Sequence, residues 1–289
     1  MAELLTDFLT REIVHKPQII GRGVLPSQSL AVIGGPPKHN KSYVVLNMIL
    51  DLARGQNIFD AKYASGIPVL PVTKRQRVLY IEQEIGDEGM RDRLLPMLEG
   101  EVGVGLDIFI KSRDMDLRLD TPEGKVAIAN EIAACKPDVV IFDPLAEFQL
   151  INENSAQEMS ATLRVCKRWI DAFKTSILIV HHIGKQSEEH PKQGGDKLRG
   201  SSALFGAVDT FIGVTRKSEA SHPTPILELE FEIRRGKPLH NMYVRREESG
   251  LITYMGEYKP HERNNVPGAA KLERVAKNSV SPHVLNADN

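Results

Sequence analysis

Apolar runs of four to six residues alternate along this chain with stretches whose apolar positions recur every three to four residues. The first pattern marks strands buried on both faces and the second marks amphipathic helices. Their alternation predicts a largely parallel sheet covered by helices. "LAVI" (Leu30 to Ile33) is a short buried strand. A helix follows from Lys41 to Ala53, with Val45, Met48, Ile49 and Leu52 at helical spacing and Gly55 as its stop. "RVLYIE" (Arg77 to Glu82) is a second strand, Ile108 to Ile110 a weaker third, and Pro122 with Glu123 opens a helix through Ala134. "DVVIFD" (Asp138 to Asp143) has the most buried strand pattern of all. Ser155 to Phe173 carries the longest helix signal, with a Ser155/Glu158 capping box and Met159, Leu163, Cys166, Ile170 and Phe173 on one face. "SILIVHH" (Ser176 to His182) is another apolar strand ending in polar residues.

A Gly- and Lys-rich stretch from Gly184 to Gly200 then reads as a mobile loop. From Asp209 onward strands follow one another with short turns: Thr210 to Val214, Ile226 to Arg234, Met242 to Arg246 and Leu251 to Tyr254. These predict an antiparallel extension of the sheet. The polar, patternless sequence from about Pro260 predicts a disordered tail.

The length of 289 residues suits one large α/β domain or two small ones. A net charge of −1 gives the whole molecule no pull toward nucleic acid or anionic membrane, so any such contact has to come from a local patch. No apolar run reaches membrane-spanning length, and the start "MAELLTDFLTREI" carries acids where a signal peptide carries positive charge. The expectation is a cytoplasmic protein that makes no use of a membrane, with Cys135 and Cys166 as buried free thiols.

Between the first strand and first helix lies "GGPPKHNKSY". From Gly35 to Ser42 it follows G-x-x-x-x-G-K-[ST], the phosphate-binding loop, except that Asn40 replaces the second glycine. Such a loop turns successive backbone N–H groups toward a polyphosphate at a helix N-terminus. Its lysine neutralises β- and γ-phosphate charge, and the next hydroxyl holds Mg²⁺. Gly35, Pro36, Pro37, Lys38, His39, Asn40, Lys41, Ser42 and Tyr43 are therefore the candidate ATP-binding residues, with Mg²⁺ on Ser42. The position before the lysine tends to need a positive φ, and asparagine enters the left-handed region at modest cost. Asn40 is expected to serve as glycine does, and Asn40→Gly to retain or raise activity.

Other strand ends should join a nucleotide site at the carboxyl edge of a parallel sheet. Asp143, closing "VVIFD", is the candidate to support Mg²⁺ through water. Glu84, just past "VLYIE", is the candidate general base, with Glu82 as its rival. His181 and His182 end "ILIV" on opposite faces of their strand, so they do not share a metal; a polar γ-phosphate sensor is the functional reading, and a structural histidine the alternative.

These pieces in this order resemble RecA-like P-loop ATPases of the RepA-type hexameric replicative helicase group (AAA_25-like), relatives of DnaB-type helicases. The matching stretches are "GGPPKHNKS", "VLYIEQE", "VVIFDPLAEF" with "NENSAQEM", "ILIVHHIGK" and "RGSSALFGAVD". The resemblance implies an N-terminal helical segment over 1–20, a RecA-like ATPase domain over 21–256 and a tail over 257–289. It implies catalysis by Glu84, γ-phosphate sensing by His182, and a DNA-facing loop after Gly184 in which Lys185, Lys192, Lys197 and Arg199 are the candidate contacts. It also implies ATP bound between subunits, with an arginine arriving from the neighbour. Arg234 in "FEIRRGK" matches best, with Arg235 and Lys237 as alternatives. Glu232 departs from the lysine that DnaB-like members often carry two residues before that arginine.

The function implied is an ATP-hydrolysing, ring-forming DNA helicase or translocase, for replication of a plasmid, phage or similar element. The implied partners are single-stranded DNA, further copies of the chain in a ring such as a hexamer, and a replication initiator or primase. The alternatives are a nucleotide-gated DNA-binding or recombination-mediator ATPase that does not unwind, and a regulatory ATP-binding module. The start of the chain, with Leu4, Leu5, Phe8 and Leu9, is expected to dock on its own core or on an adjacent subunit.

Overall fold

The computed structural model describes residues 2–257, apart from 14–15, 100–102, 104, 150–155, 184–201, 220 and 235. Lys185, Lys192, Lys197, Arg199, Arg235, the Ser155 cap and the tail from 258 therefore lie outside the described residues. Among those described, a nine-stranded sheet forms the centre. Six strands run parallel: β3 (Leu30–Gly35), β4 (Val78–Glu82), β5 (Ile108–Ser112), β6 (Val139–Asp143), β7 (Ser176–His182) and β8 (Thr210–Arg216). Three more, β9 (Ile226–Ile233), β10 (Met242–Arg246) and β11 (Ile252–Glu257), continue the sheet antiparallel beyond β8. The spatial order is β11-β10-β9-β8-β3-β7-β6-β4-β5. A separate two-stranded ribbon joins β1 (Gln18–Ile20) to β2 (Leu25–Pro26).

Alternation along each central strand divides the core in two. Ala31, Ile33, Ile141, Leu178 and Val180 face one layer with α2 (Lys41–Arg54) and α3 (Gly86–Met97). Leu30, Val32, Val140, Phe142, Ile177 and Ile179 face the other, with α4 (Pro122–Cys135), α5 (Ala156–Phe173) and α6 (Ser202–Ala207). Both sheet faces are covered, which is why the strands read as unbroken apolar runs. Met159, Leu163, Cys166 and Ile170, the expected apolar face of α5, are all buried there. Cys166 is buried and Cys135 half-buried, and both are free thiols. No helix among the described residues is long and apolar enough to cross a membrane.

Several expectations need correction. Thr210 to Arg216 belongs to the parallel core, pairing Ala31 with Thr210 and Gly34 with Gly213; the antiparallel part begins one strand later. The helix α3 escapes periodicity because Gly86, Gly89 and Pro96 interrupt it and only Gly86, Met90 and Met97 are buried. At the start of the chain the helix α1 (Leu5–Thr10) buries no residue, and Leu4, Leu5 and Leu9 stand 71%, 71% and 69% exposed. Docking on its own core is thus not observed. By Gln18 the chain has already entered β1.

Candidate active site

The loop from β3 to α2 is built on close approach. A Cβ on Gly35 would overlap the Val214 carbonyl oxygen of neighbouring β8, so only glycine lets the two strands run this near. Beyond it the backbone makes two left-handed turns, at Lys38 (φ 64°) and Asn40 (φ 62°, ψ 24°), and α2 begins at Lys41. Asparagine thus adopts the conformation expected of the missing glycine.

Lys41 is 4% exposed, and its ammonium has three hydrogens. Nζ donates to the Gly35 carbonyl at 2.9 Å, the Pro36 carbonyl at 3.0 Å and His182 Nδ1 at 2.9 Å. Burial pushes its pKa down to about 8, against the opposing pull of Asp143 and Glu84. His182 accepts from Lys41 through Nδ1, and its pKa too is lowered, first by burial and then by Lys41.

Each neighbouring parallel strand brings one side chain to this edge. β7, directly beside β3, contributes His182. β6, one strand further, ends in Asp143, whose carboxylate accepts from Tyr80 Oη at 2.7 Å and hydrogen-bonds Ser42. Burial raises Asp143 to about 6, partly offset by those two hydrogen bonds. β4 ends in Glu82, and here the two acids part company. Glu82 is buried and accepts from the backbone N–H groups of Glu84, Ile85 and Gly86 and from Ser112 Oγ. It caps the turn into α3 and has no lone pair left for water. Glu84 is exposed and lines a cavity of about 270 Å³ with Lys38, His39, Asn40, Lys41, Ser42, Tyr43, Arg93 and His182.

A family model described as an AAA domain, AAA_25, matches residues 2–188, well over half of the chain. The chain belongs to this family. One solved structure, the ATPase domain of a DnaB-like helicase, superposes with a TM-score of 0.57 at 15% identity, covering 78% of this chain and 85% of that one. A KaiC-like protein, PH0186 from Pyrococcus horikoshii OT3, gives 0.53 at 10% identity over 84% of this chain and 99% of that one. No curated protein matches by sequence. The fold of this AAA_25 member is RecA-like, with the P-loop at the carboxyl edge of its parallel strands.

Among the sequence candidates, the structure gathers Lys38 to Tyr43, Glu84 and His182 around one cavity, with Asp143 behind Ser42. It does not bring Arg234 there. β9 runs antiparallel to β8 and pairs Ile233 with Thr210, so Arg234 lies at the opposite end of the sheet, donating to the Gly206 carbonyl. Three arginines that sequence reasoning passed over do reach the loop. Arg93 faces the Tyr43 ring at 5.2 Å, and Arg246 faces it at 4.8 Å. The Arg216 backbone N–H donates to His39 Nδ1 at 3.0 Å, while its guanidinium donates to the Lys38 carbonyl. Only the position of Arg216 at the end of an apolar strand hinted at this.

His181, on the other face of β7, is 6% exposed, and its Nδ1 has no hydrogen-bond partner among the described residues. Nor do these residues contain a group of three or more His, Cys, Asp or Glu able to hold a metal. Burial pushes His181 down to about 4. Between pH 6.5 and 4 the unfolded chain binds a proton there that the folded chain refuses, so this contribution to stability falls as pH falls. Asp51 and Asp143, pushed up to about 7 and 6, act in the opposite sense. Comparison with His181→Gln cancels them. Wild type should lose about 3 kcal/mol relative to that variant between pH 6.5 and 4 in denaturant titrations; parallel pH profiles refute the assignment.

Proposed function

We propose that the protein is an ATP-hydrolysing motor that forms a ring, such as a hexamer, and translocates on single-stranded DNA as a helicase. The observation that carries this reading is the state of Lys41: a buried cation at the head of a helix, its three hydrogens held by two loop carbonyls and one histidine. A polyphosphate arriving there restores the lysine's charge and competes with His182 for its proton. His182 thereby senses whether a γ-phosphate is present. Ser42 with Asp143 fits Mg²⁺, since a hydroxyl at the helix start is backed by a buried carboxylate. A magnesium ion held there would neutralise charge on the β- and γ-phosphates. Glu84, in the same cavity and free of the bonds that occupy Glu82, orients and deprotonates the attacking water.

The site lacks a cation opposite Lys41 from its own Arg234, which stands at the far end of the sheet. A head-to-tail ring presents that far end to the next subunit's loop, so Arg234 acts in trans. The exposed leucines of α1 supply a further surface for contact between subunits. The domain division at about 20 and 256 belongs to the same reading, as do cytoplasmic location, service to a plasmid or phage replicon, and loading by an initiator or primase.

The test mixes two inactive proteins. Arg234→Ala retains its own loop, while Lys41→Ala retains its arginine; in mixed rings some sites pair an intact loop with an intact arginine. ATP hydrolysis stimulated by single-stranded DNA should reappear on mixing, and native mass with ATP should show a ring. No recovery, with a monomeric mass, overturns the ring. Stimulated hydrolysis without displacement of a strand from a forked duplex would favour the nucleotide-gated, non-unwinding alternative.

A further inference from the structure

Asn40 departs from the loop pattern by one side chain, and that side chain is not idle. Although Asn40 occupies the N-cap of α2, its side chain makes no capping hydrogen bond. Its Oδ1 instead accepts from Arg246, at 3.4 Å, across 206 positions of sequence. Arg246 ends β10 and is held by two further contacts: it donates to the Pro223 carbonyl at 3.0 Å and lies over the Tyr43 ring. Its Nε is buried with no acceptor among the described residues, an arrangement that costs stability by itself and needs a compensating gain.

The rest of the β10–β11 hairpin reinforces this tie. A Cβ on Gly250, at φ 90°, would lie 2.8 Å from the Tyr43 ring, so the turn rests directly on that ring. Asn47, buried on α2, donates to the Tyr43 and Gly250 carbonyls and accepts from the Ile252 N–H. The first two turns of α2 and the left-handed residue before it are thus strapped to the antiparallel extension.

We propose that Arg246 is a positioning residue for the phosphate loop, acting through Asn40 and Tyr43, and that asparagine at 40 is its partner and not a tolerated substitute for glycine. The inference rests on the reading that this loop binds ATP. Its physical basis is preorganisation. Asparagine leaves the unbound loop fewer conformations than glycine, and the guanidinium holds the left-handed turn, so less order has to be imposed when phosphate binds. Arg246 does not itself line the cavity, which is why its effect runs through the loop.

This reverses the expectation from the motif alone. Asn40→Gly keeps the positive φ but removes the acceptor, and should weaken binding of the fluorescent analogue mant-ATP, with Mg²⁺, about tenfold. Arg246→Met, which keeps the apolar stem over Tyr43, should do the same. The double variant should lose no more than about tenfold, because the two residues act as one unit. KM for ATP should rise in step while kcat stays within about twofold, and melting temperatures of the Asn40→Gly protein should stay at the wild-type value. Wild-type affinity in both single variants, or losses that multiply in the double variant, overturns the proposal. Lys41→Ala separates the two levels of argument. If it loses mant-ATP while Asn40→Gly and Arg246→Met bind normally, the loop is a nucleotide site and only the strap is wrong. If it binds as tightly as wild type, the nucleotide reading fails and the strap falls with it.

Discussion

Replacing Glu84 by glutamine is expected to leave ATP bound and unhydrolysed. The two acids after β4 differ in what surrounds them, and that difference sets opposite outcomes. Glu84 is exposed and lines the cavity beside Lys41 and His182. Glutamine preserves its shape and removes its basicity, so turnover should fall by about 10²–10⁴ with affinity unchanged. Glu82 meets four donors with two carboxylate oxygens. Glutamine at 82 presents an NH₂ group to some of those donors and unseats the start of α3. About 2–3 kcal/mol of stability should go, because charge-assisted hydrogen bonds are lost and buried groups are left unpaired. For a domain of this size that lowers the melting temperature by about 4–12 °C. Single-turnover hydrolysis and thermal melts on the two variants decide it. Normal hydrolysis by Glu84→Gln refutes the general-base assignment, and an unchanged melt for Glu82→Gln refutes the capping role.

The second large effect is at Lys41. Lys41→Ala should abolish ATP binding and turnover while the chain stays folded. Between pH 8 and 10.5 the unfolded chain holds a proton that the folded chain, with Lys41 at about 8, releases. The fold therefore gains stability as pH rises through that window, and at neutral pH the buried ammonium is a burden on the empty protein. Its removal takes away hydrogen bonds to two loop carbonyls and also this burden, so the melt in the absence of nucleotide should stay within a few degrees of wild type. Nucleotide changes the comparison. Wild type should melt higher with saturating Mg·ATP, by the amount mass action requires, and Lys41→Ala should not move. A comparable upward shift in the variant would mean that ATP is held elsewhere.

How far the sequence reached depended on whether the signal was local. β3, β4, β6 and β7 are unbroken apolar runs because both sheet faces are covered, and their boundaries stand within a residue or two of the pattern. The loop lysine, the serine after it and the acid at the end of β6 are each adjacent to such a run, so their arrival at one edge follows from strand direction. Asn40 at positive φ follows from the intrinsic preferences of asparagine. α3 was invisible because its helix is held by a capping glutamate and two methionines, not by a stripe of its own.

What the chain determined unaided was the alternation of buried strands and amphipathic helices and the chemistry placed at the strand ends, since both are written in nearest-neighbour pattern. Which acid is spent on structure and which is free, and which arginines reach the loop, were decided only in three dimensions. Glu82 and Glu84 are two positions apart and alike in type; hydrogen bonds from Gly86 and from Ser112 on β5 separate them. Arg246 meets Asn40, and Arg234 points away from it, because β9 and β10 run in opposite directions across a sheet whose order no local pattern records.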